Sequence, residues 1–160
     1  PQQNIAHAMT SLMAQSKGAG KRGRLKEAFR CGMRIEFVYA LIIFSICFFF
    51  ATPLLNLFTK DTEVINHGVK YMKLIAVMYF LPAATNGIQG YFRGIGDLKI
   101  TLISSFINMG VRVLAAAILV FCFSFEIEAL PYSYLAGWIG MLVAEFPLLV
   151  KSYTNYGKEN

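Results

Sequence analysis

Polar side chains recur at helical spacing within three long apolar segments of this chain. The clearest set, in residues 100–125, comprises Thr101, Ser104, Asn108 and Arg112. Steps of three or four residues place all of them on one face of a helix. Polar groups are costly in hydrocarbon, so in a membrane this face would contact protein or water rather than lipid. The chemistry that it offers is hydrogen bonding to a ligand or to a neighbouring helix.

Two further segments carry stripes of polar and aromatic residues at similar spacing. They are Tyr79, Pro82, Asn86, Gln89 and Arg93 in one segment, and Tyr134, Trp138, Met141 and Glu145 in the other. One interpretation is that the stripes line a water-filled cavity, with the candidate lining residues Tyr79, Asn86, Gln89, Ser104, Asn108 and Arg112. The other is that they form hydrogen bonds between helices, each contributing about 0.6 to 2 kcal/mol in a membrane.

Arg112 and Glu145 are charged residues inside these apolar segments. A guanidinium at the centre of a membrane helix costs at least about 2.5 kcal/mol and needs a partner or water. Glu145 is the only carboxylate within a predicted full span, so the two residues are a candidate ion pair. Counted inward from the cytoplasmic ends of their spans at about 1.5 Å per residue, the two residues differ in membrane depth by about 10 Å. The alternative is that Glu145 extends to the membrane surface.

Nothing in the sequence indicates catalysis. The two histidines are far apart, and neither has cysteine or acidic neighbours at a metal-binding spacing. No pair of a nucleophile and a base can be identified either. We therefore predict neither an enzymatic activity nor a bound cofactor or metal.

The composition is that of a membrane protein. Of the 160 residues, 56% are hydrophobic, and the mean hydropathy is +0.53, which is high for a soluble domain. Residues 37–59 carry no charge and would span about 35 Å as a helix, enough for a hydrocarbon core of about 30 Å. Further spans are predicted at 74–92, 100–125 and 129–150, and residues 1–15 as the end of a fifth. The predicted fold is an all-α, polytopic transmembrane helix bundle with a tail at 151–160.

The basic residues predict membrane orientation rather than nucleic-acid binding. The net charge is +6, and seven basic residues precede the first full span, namely Lys17, Lys21, Arg22, Arg24, Lys26, Arg30 and Arg34. Loops rich and poor in basic residues alternate along the chain, as the positive-inside rule describes. We therefore expect residues 16–34, residues 93–99 and the C-terminus to lie in the cytoplasm. The protein would be integral to the plasma (inner) membrane, with the lipid bilayer and no nucleic acid as partner.

Residues 89–99 are predicted to form a tight hairpin between two spans. Arg93 places a cation in the last turn of one helix, and Gly94 or Gly96 can end it in a left-handed conformation. Asp97 can then cap the following helix.

Other local signals mark helix ends and kinks. Asp61 is predicted to cap a helix that continues to about Arg93. Residues 24–34 are predicted to lie along the membrane surface before the first full span. Pro82 and Pro147 fall inside spans, and each is expected to kink its helix because proline has no N–H to donate.

Three motifs are similar to those of one transporter family. They are a Gln15-Ser-Lys-Gly18-Ala-Gly20 turn, a Leu57-Phe58 pair before an acidic helix start, and an Arg93-Gly94-Ile-Gly96-Asp97 hairpin. Their order and spacing cover nearly the whole chain. The sequence resembles the C-terminal lobe of a multidrug and toxic compound extrusion (MATE) transporter.

The resemblance implies two lobes of six helices related by a pseudo-repeat, with the last four helices and the end of a fifth present here. It also implies antiport, in which cationic or amphipathic small molecules are exported in exchange for sodium ions or protons. The partner would be the N-terminal lobe of the same polypeptide. Some members carry an acidic residue in the helix corresponding to 74–92, where this chain has Asn86 and Gln89. The coupling ion is therefore expected at the other lobe.

Two other functions are open. A lipid-linked oligosaccharide flippase of the same wider superfamily would use cavity arginines such as Arg112 to hold a phosphate. A membrane scaffold subunit would transport nothing, and its polar stripes would be helix contacts only.

Overall fold

The computed structural model describes residues 1–123 and 129–158, which form helices joined by short turns. The helices are α1 (Gln2–Gly18), α2 (Arg22–Phe49), α3 (Ala51–Asn56), α4 (Thr62–Met78), α5 (Phe80–Gly94), α6 (Leu98–Phe123) and α7 (Ala129–Lys158). This part of the chain contains no strand, so the all-α prediction is confirmed.

Three segments of the described chain are long and apolar enough to cross a membrane: Gly23–Phe49, Leu98–Cys122 and Ala129–Thr154. Large apolar side chains on α6 point away from the bundle, and Phe106 is 75% and Val113 61% exposed. Such a surface is unfavourable in water and is expected where a helix faces lipid.

The helix bounds differ from the predicted span 37–59. α2 is a single helix from Arg22 to Phe49, so no separate surface helix precedes the span. It ends before residue 59 because Pro53 lacks the N–H that would bond to the Phe49 carbonyl. The short α3 follows instead. Starting the helix at Arg22 places Glu36 well inside it.

The predicted span 74–92 is also interrupted. α4 ends at Met78 and α5 begins at Phe80, because Pro82 cannot donate to the Met78 carbonyl. The kink expected at Pro82 is thus a break one turn earlier.

α7, by contrast, continues through Pro147 to Lys158, so residues 151–158 extend the helix rather than forming a tail. The predicted end of α6 at residue 125 and the last two residues lie outside the described residues.

Helix capping by Asp61 is confirmed. Its carboxylate Oδ1 accepts hydrogen bonds from the backbone N–H groups of Glu63 at 2.9 Å and Val64 at 3.4 Å. These bonds satisfy donors that the first turn of α4 would otherwise leave unpaired.

The two glycine turns lie side by side at one end of the bundle. Gly20 and Gly96 have φ of +68° and +84°, a left-handed conformation that glycine adopts without strain. The N–H of Asp97 bonds back to the Phe92 carbonyl at 2.9 Å. Lys17 Nζ donates to the Ile95 carbonyl, which ties the turn after α1 to the turn after α5.

α1 and α5 run parallel and in close contact. A Cβ added to Gly94 would lie 2.6 Å from Met13 Cβ and 3.2 Å from the Thr10 carbonyl oxygen. A Cβ added to Gly90 would lie 3.0 Å from the Ala6 carbonyl oxygen. These glycines therefore permit the approach of the two backbones. Next to them lies the buried apolar cluster Met9, Met13, Leu25, Ala28, Ile88, Tyr91, Phe92, Ile95 and Leu149.

Candidate functional site

A cavity of about 280 Å³ lies where the polar stripes of α5, α6 and α7 meet. Its lining residues are Gln3, Pro82, Thr85, Asn86, Ser105, Asn108, Trp138 and Met141. Two of the candidate lining residues, Asn86 and Asn108, are among them. None of the lining side chains is charged, so the cavity offers amide groups, hydroxyl groups and an indole ring to a ligand.

The antiparallel register of α6 and α7 determines which stripe residues meet. Arg112 lies against Gly137, where an added Cβ would be 2.3 Å from Arg112 Cγ. One turn along, Asn108 Nδ2 lies 3.5 Å from the Met141 sulfur. One further turn brings Ser104 level with Glu145. The stripes of the two helices therefore face each other over three turns.

Arg112 contacts an aromatic ring instead of Glu145. Its guanidinium carbon lies 3.6 Å from the centre of the Tyr134 ring, within the range of a cation–π interaction. Tyr134 and Glu145 are about 16 Å apart along α7 at about 1.5 Å per residue. The register thus keeps Arg112 and Glu145 about two turns apart, and the candidate ion pair is not formed.

Glu145 is buried in the bundle. Its side chain is 0% exposed, so it does not extend to the membrane surface. Neither carboxyl oxygen has a hydrogen-bond partner among the described residues. The side chains of Gln89 and Ser104 lie close enough to interact with the carboxyl group. The charge of Arg93 acts on it electrostatically from a longer distance. The Ser104 hydroxyl donates to the Ile100 carbonyl at 2.8 Å instead.

The other candidate lining residues lie around the cavity rather than in its wall. Gln89 and Ser104 are one turn away, on the side of the α5–α6 turn. Tyr79 occupies the break between α4 and α5. The family-motif residues Gln15, Gly18, Gly20, Arg93, Gly94, Gly96 and Asp97 belong to the two glycine turns or to the helix ends beside them. These two motifs therefore mark one end of the bundle and not the cavity.

A second carboxyl group, that of Glu36, is buried and was not among the predicted site residues. Its side chain is 0% exposed, and its two oxygens also have no hydrogen-bond partner in the described chain. Glu36 and the Tyr79 hydroxyl interact electrostatically, so it lies near the α4–α5 break. The signal was the absence of proline and of any cluster of turn residues between Arg24 and the apolar run, since an isolated glycine such as Gly32 is tolerated in a helix. An unbroken helix places Glu36 within the span.

Three lining residues of the cavity were also missed: Gln3, Thr85 and Ser105. Ser105 could have been found, because it is three residues from Asn108 and shares its face. Thr85 is 3% exposed, and its hydroxyl donates to the Pro82 carbonyl at 3.1 Å. Gln3 comes from α1, and only the tertiary arrangement brings it to the cavity.

A larger cavity of about 790 Å³ lies between α4 and the start of α7. It is lined by Glu63, Val64, His67, Gly68, Lys70, Tyr71, Leu74, Pro131 and Tyr132. None of the polar stripe residues contributes to its wall. The described residues contain no cluster of three or more His, Cys, Asp or Glu side chains that could hold a metal ion.

The apolar outer surface and the polar cavity between the helices define an integral membrane helix bundle. The family model MatE matches residues 2–124, and the chain belongs to the MatE family.

Curated relatives are similar along most of the chain. The "Probable multidrug resistance protein NorM" of Thermotoga maritima is 25% identical over 142 residues, which are 89% of this chain and 29% of that protein. The "Probable multidrug resistance protein YoeA" of Bacillus subtilis is 26% identical over 157 residues, 98% of this chain and 32% of that protein. The chain therefore spans about a third of the length of these relatives.

Solved structures share the fold. A structure described as the inward-facing conformation of a multidrug resistance MATE family transporter of the MOP superfamily has a TM-score of 0.85, at 14% identity, over 92% of this chain and 33% of that one. The MATE transporter ClbM in complex with Rb⁺ also has a TM-score of 0.85, at 19% identity, over 97% and 37% of the two chains.

Proposed function

We propose that this chain is part of the C-terminal lobe of a secondary active multidrug transporter. In this proposal, cationic or amphipathic compounds are exported in exchange for sodium ions or protons. The observation that carries it is the uncharged polar cavity between α5, α6 and α7, within a membrane bundle of the MatE family. Relatives named as probable multidrug resistance proteins support transport rather than catalysis.

The chemistry of the cavity suits an amphipathic cation. Trp138 contributes an indole ring to the wall, and the face of an indole ring attracts cations. Asn86 and Asn108 offer amide oxygens that accept hydrogen bonds. The volume of about 280 Å³ is just below the range of about 300 to 1,000 Å³ that encloses a drug-sized ligand. We propose that the N-terminal lobe of the same polypeptide completes the site.

The position of Arg112 favours export of cations over transport of a phosphate-bearing lipid. Its guanidinium lies on the Tyr134 ring and is not part of the cavity wall. A phosphate in the cavity would therefore lack the bidentate donor that such sites use. The scaffold alternative is also disfavoured, because helix packing alone gives no reason for a cavity where three polar stripes meet.

Transport of a fluorescent cation by the complete polypeptide tests the proposal. Ethidium is added outside everted membrane vesicles that carry it, and dye uptake is followed under an imposed sodium gradient, an imposed pH gradient or no gradient. We expect gradient-dependent movement in the wild type. For Asn108→Ala we expect a rate lower by about fivefold, because one hydrogen bond to the ligand is lost.

Asn66→Ala is the matched control for this experiment. Asn66 is an exposed asparagine on α4, away from the cavity, and its substitution should leave the rate unchanged. Wild-type vesicles that move no ethidium under either gradient would refute the proposed transport. Equal rates for Asn108→Ala and the wild type would show that this cavity is not the binding site.

A further inference from the structure

Glu145 lies one helical turn beyond the cavity on the same faces that line it. On α7 it follows Met141 by four residues, on α6 Ser104 precedes Asn108 by four, and on α5 Gln89 follows Thr85 by four. Met141, Asn108 and Thr85 are cavity-lining residues. Gln89, Ser104 and Glu145 therefore form the next layer of the bundle, about 5.4 Å further along. The cavity and the carboxyl group are adjacent.

Burial disfavours the carboxylate anion of Glu145. Its two oxygens form no hydrogen bond with any described residue, and the Gln89 and Ser104 side chains and the charge of Arg93 offset the burial only in part. Burying an unpaired charge is far more costly than burying a neutral carboxylic acid. The Ser104 hydroxyl is committed to the Ile100 carbonyl.

The charged and titratable groups facing Glu145 from the packed helices are few. On α5, Arg93 acts on it at long range, and its Nε donates to the Gln89 carbonyl at 3.3 Å. α6 presents Ser104. On α2, Arg30 is bonded to the Tyr153 hydroxyl and Lys26 lies over the same ring. Tyr153 is two turns beyond Glu145, where Tyr91 of α5 bonds to Ser152. None of these cations forms an ion pair with Glu145.

We infer that Glu145 binds a proton in this conformation and that it releases the proton when an organic cation enters the adjoining cavity. The inference deepens the proposed function and rests on it. It places a proton-binding group in this lobe, whereas the family resemblance led us to expect the coupling ion at the N-terminal lobe. The cavity wall carries no charge, so its attraction for a cation depends on the ionisation of Glu145 one turn away. A proton taken from water neutralises the carboxylate and weakens cation binding. A bound cation favours loss of the proton to water, so the two ions compete.

Ethidium binding and proton release by the complete, purified polypeptide test this competition. The affinity for ethidium is measured by fluorescence anisotropy at about pH 6 and about pH 8, and we expect it to be about tenfold higher at the higher pH in the wild type. In weakly buffered solution near neutral pH, binding should release up to about one proton per ethidium. In Glu145→Gln, the affinity should change less than about twofold between the two pH values, and no proton should be released.

Two further variants complete the experiment. Glu145→Asp keeps a carboxyl group and should keep the pH dependence. Glu27→Gln makes the same isosteric change at an exposed position on α2 and should behave as the wild type. Retention of the pH dependence in Glu145→Gln would overturn the inference.

The wild-type measurement is decisive even if Glu145→Gln does not fold. Ethidium binding without proton release would overturn the role of Glu145 and leave the proposed transport intact. No ethidium binding at any pH would instead refute the proposed function, and with it the inference.

Discussion

At the scale of single residues, the charged side chains of Arg112 and Glu145, which lie inside the spans, are accommodated in different ways. Arg112 lies on the face of Tyr134, where the ring quadrupole partly replaces the water that the guanidinium has lost. Within residues 1–123 and 129–158, neither oxygen of Glu145 has a hydrogen-bond partner. Its contact with Tyr134 gives Arg112 a structural role. Glu145, without such a contact, is the side chain that we expect to gain and lose a proton.

The contact between Arg112 and Tyr134 gives a stability prediction. Tyr134→Ala removes the ring and should lower the free energy of unfolding by about 0.5 to 2 kcal/mol, the range of cation–π contributions. Tyr134→Phe keeps the ring face and is the matched control, with a change of less than about 0.5 kcal/mol expected. Denaturation of the complete polypeptide in detergent measures both. Equal losses for the two variants would attribute the effect to the hydroxyl and not to the ring.

The capping carboxylate of Asp61 gives a second prediction. Asp61→Ala leaves the N–H groups of Glu63 and Val64 without their acceptor and should cost about 1 kcal/mol. Asp61→Asn keeps an acceptor oxygen and should cost only a few tenths. Hydrogen exchange of the first turn of α4 reports the loss locally. Unchanged exchange in Asp61→Ala would show that the cap contributes little there.

At the scale of helices, close approach of α1 and α5 depends on glycine. A Cβ at Gly94 would lie 2.6 Å from Met13 Cβ, an atom next to the backbone that cannot swing aside. Gly94→Ala should therefore destabilise the bundle by about 1 to 3 kcal/mol, the usual cost of overpacking.

Gly110→Ala is the matched control for Gly94→Ala. Gly110 is in the middle of α6, and an added Cβ would meet nothing within 4 Å. This variant should be neutral or stabilising by up to about 1 kcal/mol, because alanine favours the helix. Thermal denaturation of the two variants side by side separates packing from helix propensity. A Gly94→Ala protein as stable as the wild type would contradict the close contact.

Proline acts differently in three helices of this chain. α2 ends before Pro53, and the break between α4 and α5 comes just before Pro82. α7, in contrast, continues through Pro147. Each proline removes one backbone hydrogen bond, so the sequence predicts a defect at each position. Whether the defect becomes a break or is tolerated depends on packing from neighbouring helices, which the sequence of one helix does not contain.

At the scale of the whole molecule, the two glycine turns share one end of the bundle. The contact of Lys17 with Ile95 holds them together, and the basic residues of the chain are concentrated at this end. α2 begins at the end of the bundle where the glycine turns lie and runs the length of the bundle. The connection between α3 and α4, which follows α2, therefore lies at the other end.

This arrangement predicts the orientation in the membrane. Because cytoplasmic loops are rich in Lys and Arg, we expect the glycine turns and the end of α7 to lie in the cytoplasm. A fluorescent protein fused after Lys158 should be fluorescent, and alkaline phosphatase fused there should be inactive. Phosphatase inserted at residue 60 should be active. The opposite pattern at both positions would reverse the assigned orientation.

Much of the fold and part of the site could be predicted from the sequence. The cap at Asp61, the glycine turns and the membrane class follow from local chemistry and composition. Asn86 and Asn108 were identified as candidate lining residues because helical periodicity is a property of one segment. Glu36 was missed because the span was counted from the last charge, and Gln3 because α1 reaches the cavity only through the packing of the bundle.

Hydropathy and residue spacing are enough to predict that this chain forms membrane helices with polar faces, because both are properties of one segment. Which polar residues meet depends instead on how the helices pack. The register of α6 against α7 places Arg112 at Tyr134 and Glu145 beside Ser104, and a shift of one turn would change both partners. The burial of Glu145 and the cavity beside it likewise result from three helices packing together, a property that no single segment carries.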